Sequence, residues 1–252
     1  MEGAPNGTAG PSLQEASLRA WPGRERREPD ATSPSYTVRA PLARWLRTEA
    51  VRAGRDLGHV RVLDVGCGRK PYYPIFAPFA SEYLGLDLVN PMAEVSAAAE
   101  AIPLPNDSFD LILCLQFLEH AADPPAVVRE LSRLLRPGGR VLAATHGVSV
   151  YHPDPVDHWR WTHTGLEMLF AANGSWRSVS VQAGAGSSSC LAMLVSFYLG
   201  VLHRRLQLKG TARQSTRLIN LAAHRLDNLA GTADCRRPGS LVANYHVTAD
   251  AL

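Results

Sequence analysis

Apolar residues first recur at helical spacing after Tyr36, where Leu42, Trp45, Leu46, Ala50 and Ala53 predict a leading amphipathic helix with Pro41 in its first turn. Gly58 ends that pattern, and Val60, Val62, Leu63 and Val65 form a short apolar run suited to a strand buried on both faces. Residues 82–88 and 109–115 read as strands too, while 97–102 reads as a shorter strand or a connecting loop. Val127, Val128, Leu131, Leu134 and Leu135 share one face of a helix predicted over 125–135, which Pro137-Gly138-Gly139 stops before a strand at 140–145. Thr164-Gly165-Leu166-Glu167 fits a capping box for a helix running to Ala172, with Gly174 as its C-terminal cap. Strands at 176–182 and 241–248 flank about 55 residues of helical pattern, longer than the usual connection in a compact domain.

Alternating strands and helices predict an α/β fold, an open, doubly wound, mostly parallel sheet with a helical insertion over about 184–238 before its last strand. The domain spans 36–252. Residues 1–35, rich in Gly, Pro, Ala and Arg and lacking a signal-peptide apolar core, read as a disordered N-terminal tail. The chain of 252 residues is 46% hydrophobic and 19% charged, as expected of one soluble domain with appendages. Its net charge of +3 comes without a block of like charges, which does not point to a nucleic-acid partner. Cys67, Cys114, Cys190 and Cys235 are scattered, so they read as reduced thiols of a cytoplasmic protein and not as a disulfide frame or zinc site.

Ligands of such sheets bind beyond the carboxyl ends of the strands, where Gly66–Gly68, Asp87 and 115–120 fall. Gly66 and Gly68 let backbone approach a ligand, and Asp64 orders their loop or meets a cationic group. Asp87 follows about twenty residues later, where a carboxylate can accept both hydroxyls of a ribose. A nicotinamide dinucleotide site would want a third glycine where Pro71 stands, which counts against an NAD-dependent oxidoreductase. His120 is one candidate base; a structural histidine tying its loop is the competing reading. The stretch YHPDPVDHWRWTHT offers Asp157 and His158 as bases and Trp159 as a platform for a ring, or else it is a polar loop over the site. His152, Asp154, Asp157 and His158 match no metal-ligand spacing, and no metal is expected.

VLDVGCG, LGLDL, EAIPLPNDSFDLILCLQFLEH and LRPGGRVLAAT, in this order and spacing over residues 60–145, resemble the class I S-adenosylmethionine-dependent methyltransferases, a Rossmann-like family. The similarity is to the small bacterial type with LP, FD, EH and LRPGG motifs. The resemblance implies S-adenosyl-L-methionine as cofactor, with Asp64, Gly66, Cys67 and Gly68 around its methionine portion and Asp87 on the ribose. It further implies Leu88 against the adenine, Glu100 and Ala101 at the adenine edge, and Leu115 and Gln116 along the methionyl side. One departure is Ala98, where many relatives carry an aspartate.

On this resemblance the expected reaction is O-methylation of a small molecule or glycan, such as a sugar, cell-envelope component or secondary metabolite. A non-catalytic protein that binds the same cofactor is the alternative. The run CLAMLVSFYLGVL, too short to span a bilayer, precedes His203, Arg204, Arg205, Lys209, Arg213 and Arg217. Residues 190–217 are therefore read either as a hairpin packed on the domain, a lid or dimer contact, or as a peripheral contact with the inner face of a membrane. Leu218, Leu221, Ala222, Leu226 and Leu229 mark one apolar face of the helix that follows.

Overall fold

The computed structural model describes residues 13–207 and 212–252, so positions 1–12 of the expected tail and Lys209 lie outside the described residues. In chain order the elements are α1 (Leu13–Ala20), α2 (Arg24–Arg27), α3 (Tyr36–Leu57), β1 (Val60–Val65), α4 (Tyr73–Phe76), β2 (Ala80–Leu86) and β3 (Phe109–Leu115). They continue with α5 (Pro124–Leu134), β4 (Leu135–His146), α6 (His163–Ala172), β5 (Trp176–Ala183), α7 (Ser187–Arg205), α8 (Ala212–Ala230) and β6 (Asn244–Ala251).

Six strands form one sheet in the order β2-β1-β3-β4-β6-β5. The first four are parallel, and β6 enters antiparallel between β4 and β5. Alternation along each strand divides the core. Leu63, Val65, Ile112, Val141 and Ala143 pack with the apolar faces of α5 and α6. Val62, Leu111, Leu113, Leu142 and Ala144 pack with Leu42, Trp45, Leu46 and Ala50 of α3. The sheet is doubly wound, as the apolar runs imply, because a strand covered on both sides has no polar face to alternate.

Several boundaries differ from the sequence reading. β2 ends at Leu86, leaving Asp87 just beyond it, and 97–102 is loop. Pro41 sits in the second turn of α3, because Ser35 O already accepts from Val38 N and Arg39 N. Pro137-Gly138-Gly139 belongs to β4, whose irregular first residues pair Leu135 with Phe109. The N-cap of α6 is Thr162, whose hydroxyl accepts from Gly165 N at 3.1 Å; Glu167 pairs with Arg236 instead. Asn173 ends that helix, and Gly174 is small for a different reason: a Cβ there would lie 2.4 Å from the Trp176 ring.

From Leu13 onward, the stretch expected as a mobile tail carries α1 and α2 and docks on the domain. Trp21 Nε1 donates to Lys70 O at 2.9 Å, and the buried Arg27 guanidinium donates to Trp21 O, Pro22 O and Pro71 O. Those carbonyls replace the water that Arg27 loses, a long-range compensation that composition does not register.

Candidate active site

β1 runs into Gly66-Cys67-Gly68, with φ of +67° at Gly66 and +49° at Gly68, a region that favours glycine. Leu86 O accepts from Gly66 N at 2.8 Å and Cys67 N at 3.0 Å, which folds the turn over the end of β2. The two glycines differ in their surroundings. A Cβ on Gly66 would meet the Phe117 ring at 2.3 Å, whereas one on Gly68 would meet nothing within 4 Å. Gly66 is a packing requirement and Gly68 faces open space. Beneath the turn, buried Asp64 accepts from Tyr83 Oη at 2.7 Å, and burial raises its carboxyl to about 7. Burial also pushes the Cys67 thiol up to about 12, so it is no nucleophile at neutral pH.

Asp87 fastens the loop. One oxygen accepts from Gly68 N at 3.0 Å and the other from Val89 N and Asn90 N, both at 3.1 Å. A carboxylate has about four acceptor sites, so one remains for a ligand without rearrangement. Leu88 beside it is 64% exposed, an apolar side chain turned to open space at the strand's end. Residues 94–101 run alongside: Asp87 N donates to Val95 O, and Ser96 Oγ to Leu88 O. Glu100 is half-buried and Ala101 exposed on this same segment.

At the end of β3, Leu115 is buried and Gln116 takes φ +56°, its amide donating to Ala144 O at 2.7 Å. The Gln116 side-chain Nε2 is buried without a hydrogen-bond partner. Next come two residues that the sequence reading did not assign. Glu119 is fully buried; one oxygen accepts from Thr145 Oγ1 at 2.8 Å and the other lies 3.2 Å from His146 Nδ1. Neither Glu119 Oε1 nor His146 Nδ1 has a completed hydrogen bond. Burial raises the Glu119 carboxyl to about 7 and lowers the His146 imidazole to about 4. A Glu following the apolar Phe117-Leu118 at a strand's carboxyl end was the available signal for this pair.

The loop between β4 and α6 is stitched over that pair. His158 N and Trp159 N both donate to Glu119 O, and Trp161 N donates to His146 O. Trp159 stacks on Trp161 with ring centroids 5.6 Å apart and donates from Nε1 to Ala121 O. Asp157, expected as a base, pairs with Arg160 and accepts from His152 N, and the guanidinium holds its carboxyl down at about 2. A carboxylate with so little proton affinity fastens the loop and is a poor base. His158 is exposed, whereas His120 has its Nδ1 3.0 Å from Val156 O and a pKa lowered by burial. The edge thus gathers Asp64, Gly66, Cys67, Gly68, Asp87, Leu88, Leu115 and Gln116 at the ends of β1, β2 and β3.

A family model described as a methyltransferase domain matches residues 15–172. The chain belongs to that family. S-adenosyl-L-methionine is the cofactor of this methyltransferase domain. Over 142 residues the chain is 34% identical to an uncharacterized methyltransferase, YcgJ, of Bacillus subtilis, covering 45% of this chain and 54% of that protein. Over 116 residues it is 30% identical to a ubiquinone biosynthesis O-methyltransferase of Xanthomonas oryzae pv. oryzae, covering 40% and 48%. The chain spans about half the length of the curated relatives it matches. Among solved structures, a Galdieria sulphuraria protein assigned as a sarcosine dimethylglycine methyltransferase shares the fold with a TM-score of 0.54 at 14% identity, covering 84% of this chain and 86% of that one. The cyclase SpnF shares it with a TM-score of 0.50 at 17% identity, covering 83% and 80%. These last two likenesses concern fold alone, since one architecture hosts several chemistries.

Proposed function

We propose that this methyltransferase domain transfers a methyl group from S-adenosylmethionine to a hydroxyl of a small molecule or glycan. The observation that carries the cofactor site is the buried, unpartnered Nε2 of Gln116, at the end of the strand adjoining the glycine turn. An orphaned buried donor costs free energy unless a ligand accepts from it, and a carboxylate is the strongest such acceptor. Asp64, Gly66, Cys67, Gly68, Leu115 and Gln116 would hold the methionine portion, with Asp64 toward its ammonium and Gln116 toward its carboxylate. Asp87 would take the ribose, Leu88 the adenine face, and Glu100 with Ala101 the adenine edge. The bound cofactor supplies an electrophilic methyl group on a sulfonium, so the protein's work is alignment, exclusion of water and proton removal.

Oxygen as the accepting atom is supported by the relatives named as ubiquinone biosynthesis O-methyltransferases. The insertion supports an acceptor met at a membrane surface. No helix of the described residues is long and apolar enough to cross a membrane. The leucines of α8 nevertheless point away from the domain, with Leu218 70% and Leu229 85% exposed. Leu191, Val195 and Tyr198 are exposed at helical spacing on α7. Arg204, Arg205, Arg213, Arg217 and Arg225 are exposed around them, and Asp227, the single acidic residue of the two helices, is buried. An apolar stripe edged with arginine suits an anionic lipid surface.

Calorimetry with S-adenosylhomocysteine, and thermal shift with S-adenosylmethionine against NAD, test the cofactor site; the first two should bind and NAD should not. Transfer of labelled methyl into cell extract, followed by mass spectrometry, tests the reaction. Binding without any labelled product would favour a non-catalytic cofactor-binding protein. Flotation with vesicles containing anionic lipid tests the surface, and wild-type protein that stays at the bottom would remove it.

A further inference from the structure

Resting on that reading, we propose that His146 is the general base of the transfer and Glu119 its positioning residue, a buried carboxylate–imidazole dyad under the loop between β4 and α6. Glu119 sits beyond the end of β3 and His146 closes β4, so the adjacent parallel strands deliver them to the edge where Gln116 lies. Three features mark the pair as more than packing. Glu119 has no exposure and spends one oxygen on Thr145, leaving the other 3.2 Å from His146 Nδ1. Both facing atoms are buried and have no other hydrogen-bond partner, so each is the group nearest at hand to satisfy the other. His146 keeps 20% of its side chain exposed, while its partner keeps none, which makes the imidazole the member a substrate can reach.

With Nδ1–H donating to the Glu119 carboxylate, the lone pair of His146 resides on Nε2. The acceptor hydroxyl gives its proton to Nε2 as its oxygen bonds to the methyl carbon, and the electron pair of the broken C–S bond stays on the donor's sulfur. The imidazolium so formed is neutralised by Glu119, and its proton leaves to water when product departs. The other charged and titratable groups facing the pair are Asp157, Arg160, His120 and His152, together with the buried Cys114 thiol of β3, which stays protonated. Asp157 and Arg160 neutralise one another across the loop. Burial keeps His146 neutral at physiological pH and raises Glu119 to about 7, so the dyad assembles as pH climbs through that value.

Two readouts test this. The first needs no acceptor: nitrogen NMR of 15N-histidine-labelled protein, with His146→Gln assigning the resonance. His146 should be the Nδ1–H tautomer above pH 8, with a transition near 7 that disappears in Glu119→Gln. The second uses labelled donor with a panel of catechols and free sugars. On the acceptor turned over fastest, His146→Gln should lose about 10²–10⁴-fold in kcat. Its KM and its S-adenosylhomocysteine affinity should remain within about threefold, a split that loss of packing alone does not produce. Glu119→Gln should lose less and flatten the alkaline rise of the rate profile. Should His146 titrate independently of Glu119, should kcat survive His146→Gln, or should no hydroxyl of the panel be methylated, the dyad is overturned. Failure of wild type to bind S-adenosylhomocysteine would instead overturn the methyltransferase reading, with the NMR coupling still measured.

Discussion

Strand β1 with its glycine turn and helix α8 both carry regularly spaced apolar residues, yet β1 buries them and α8 exposes them. Around the turn, Val62, Leu63 and Val65 go inward, and the polar groups among them are satisfied within the protein, Asp64 by Tyr83 Oη and the Gly66 and Cys67 amides by Leu86 O. In α8, Thr216, Asn220, Ala223 and Asp227 go inward while Leu218, Leu221, Leu226 and Leu229 face out. The inward face succeeds because it is fully employed. Asp227 accepts from Gly186 N, Ser188 N and Ser189 N, supplying the first turn of α7 with the partners its free amides need. Asn220 donates to Ala31 O and Ser33 O, tying the segment before α3 to the insertion. Apolar periodicity therefore locates a helix more securely than it tells which face is buried.

Substitutions can break this contrast, beginning with the largest expected effect. Gly66→Val drives a branched side chain into Phe117 at positive φ, and should cost at least about 3 kcal/mol with loss of detectable S-adenosylhomocysteine binding. A melt and a titration of the same sample check both. Asp227→Ala leaves three amides unpaired at the start of α7 and should destabilise by about 2–4 kcal/mol in denaturant unfolding while leaving cofactor affinity nearly unchanged. An unaltered midpoint would show that the polar face of α8 is incidental. Asp87→Ala should weaken S-adenosylhomocysteine by about 1.5–3 kcal/mol, read by calorimetry.

A smaller effect concerns pH. The folded pKa of Glu119, about 7, lies above the ordinary glutamate value, so its protonated form favours folding. That contribution is complete below about pH 4 and is lost as pH rises through 7. The melting temperature of Glu119→Gln relative to wild type should accordingly climb between pH 4 and 8. Smallest in stability is the pair Leu218→Glu with Leu229→Glu, expected within about 0.5 kcal/mol of wild type because both leucines are exposed. Its flotation with anionic vesicles should nonetheless be abolished; a large destabilisation would mean that the leucines pack.

Much of the edge around the glycine turn was legible because its signals are local. Val60–Val65 followed by Gly-Cys-Gly is a buried strand meeting a turn, and Asp87 stays at the carboxyl end of the next strand although that strand stops at Leu86 and not at residue 88. The loop between β4 and α6 was less legible. Asp157 looked like a base until Arg160 was found across from it, and Glu119 drew no notice because burial, not residue type, gives it a raised proton affinity. Trp21 and Arg27 sat in a stretch without periodicity, and their partners Lys70 and Pro71 are more than forty positions away.

By itself, then, the sequence determined the parallel, doubly wound sheet and the glycine turn at its edge, since hydrophobic period and glycine conformation act over a few neighbouring residues. Only the tertiary structure decided which polar groups are buried, which ions are paired and which face of α8 meets the domain. Those outcomes depend on partners brought together from distant positions, and a side chain's proton affinity or exposure is a property of its partners as much as of itself.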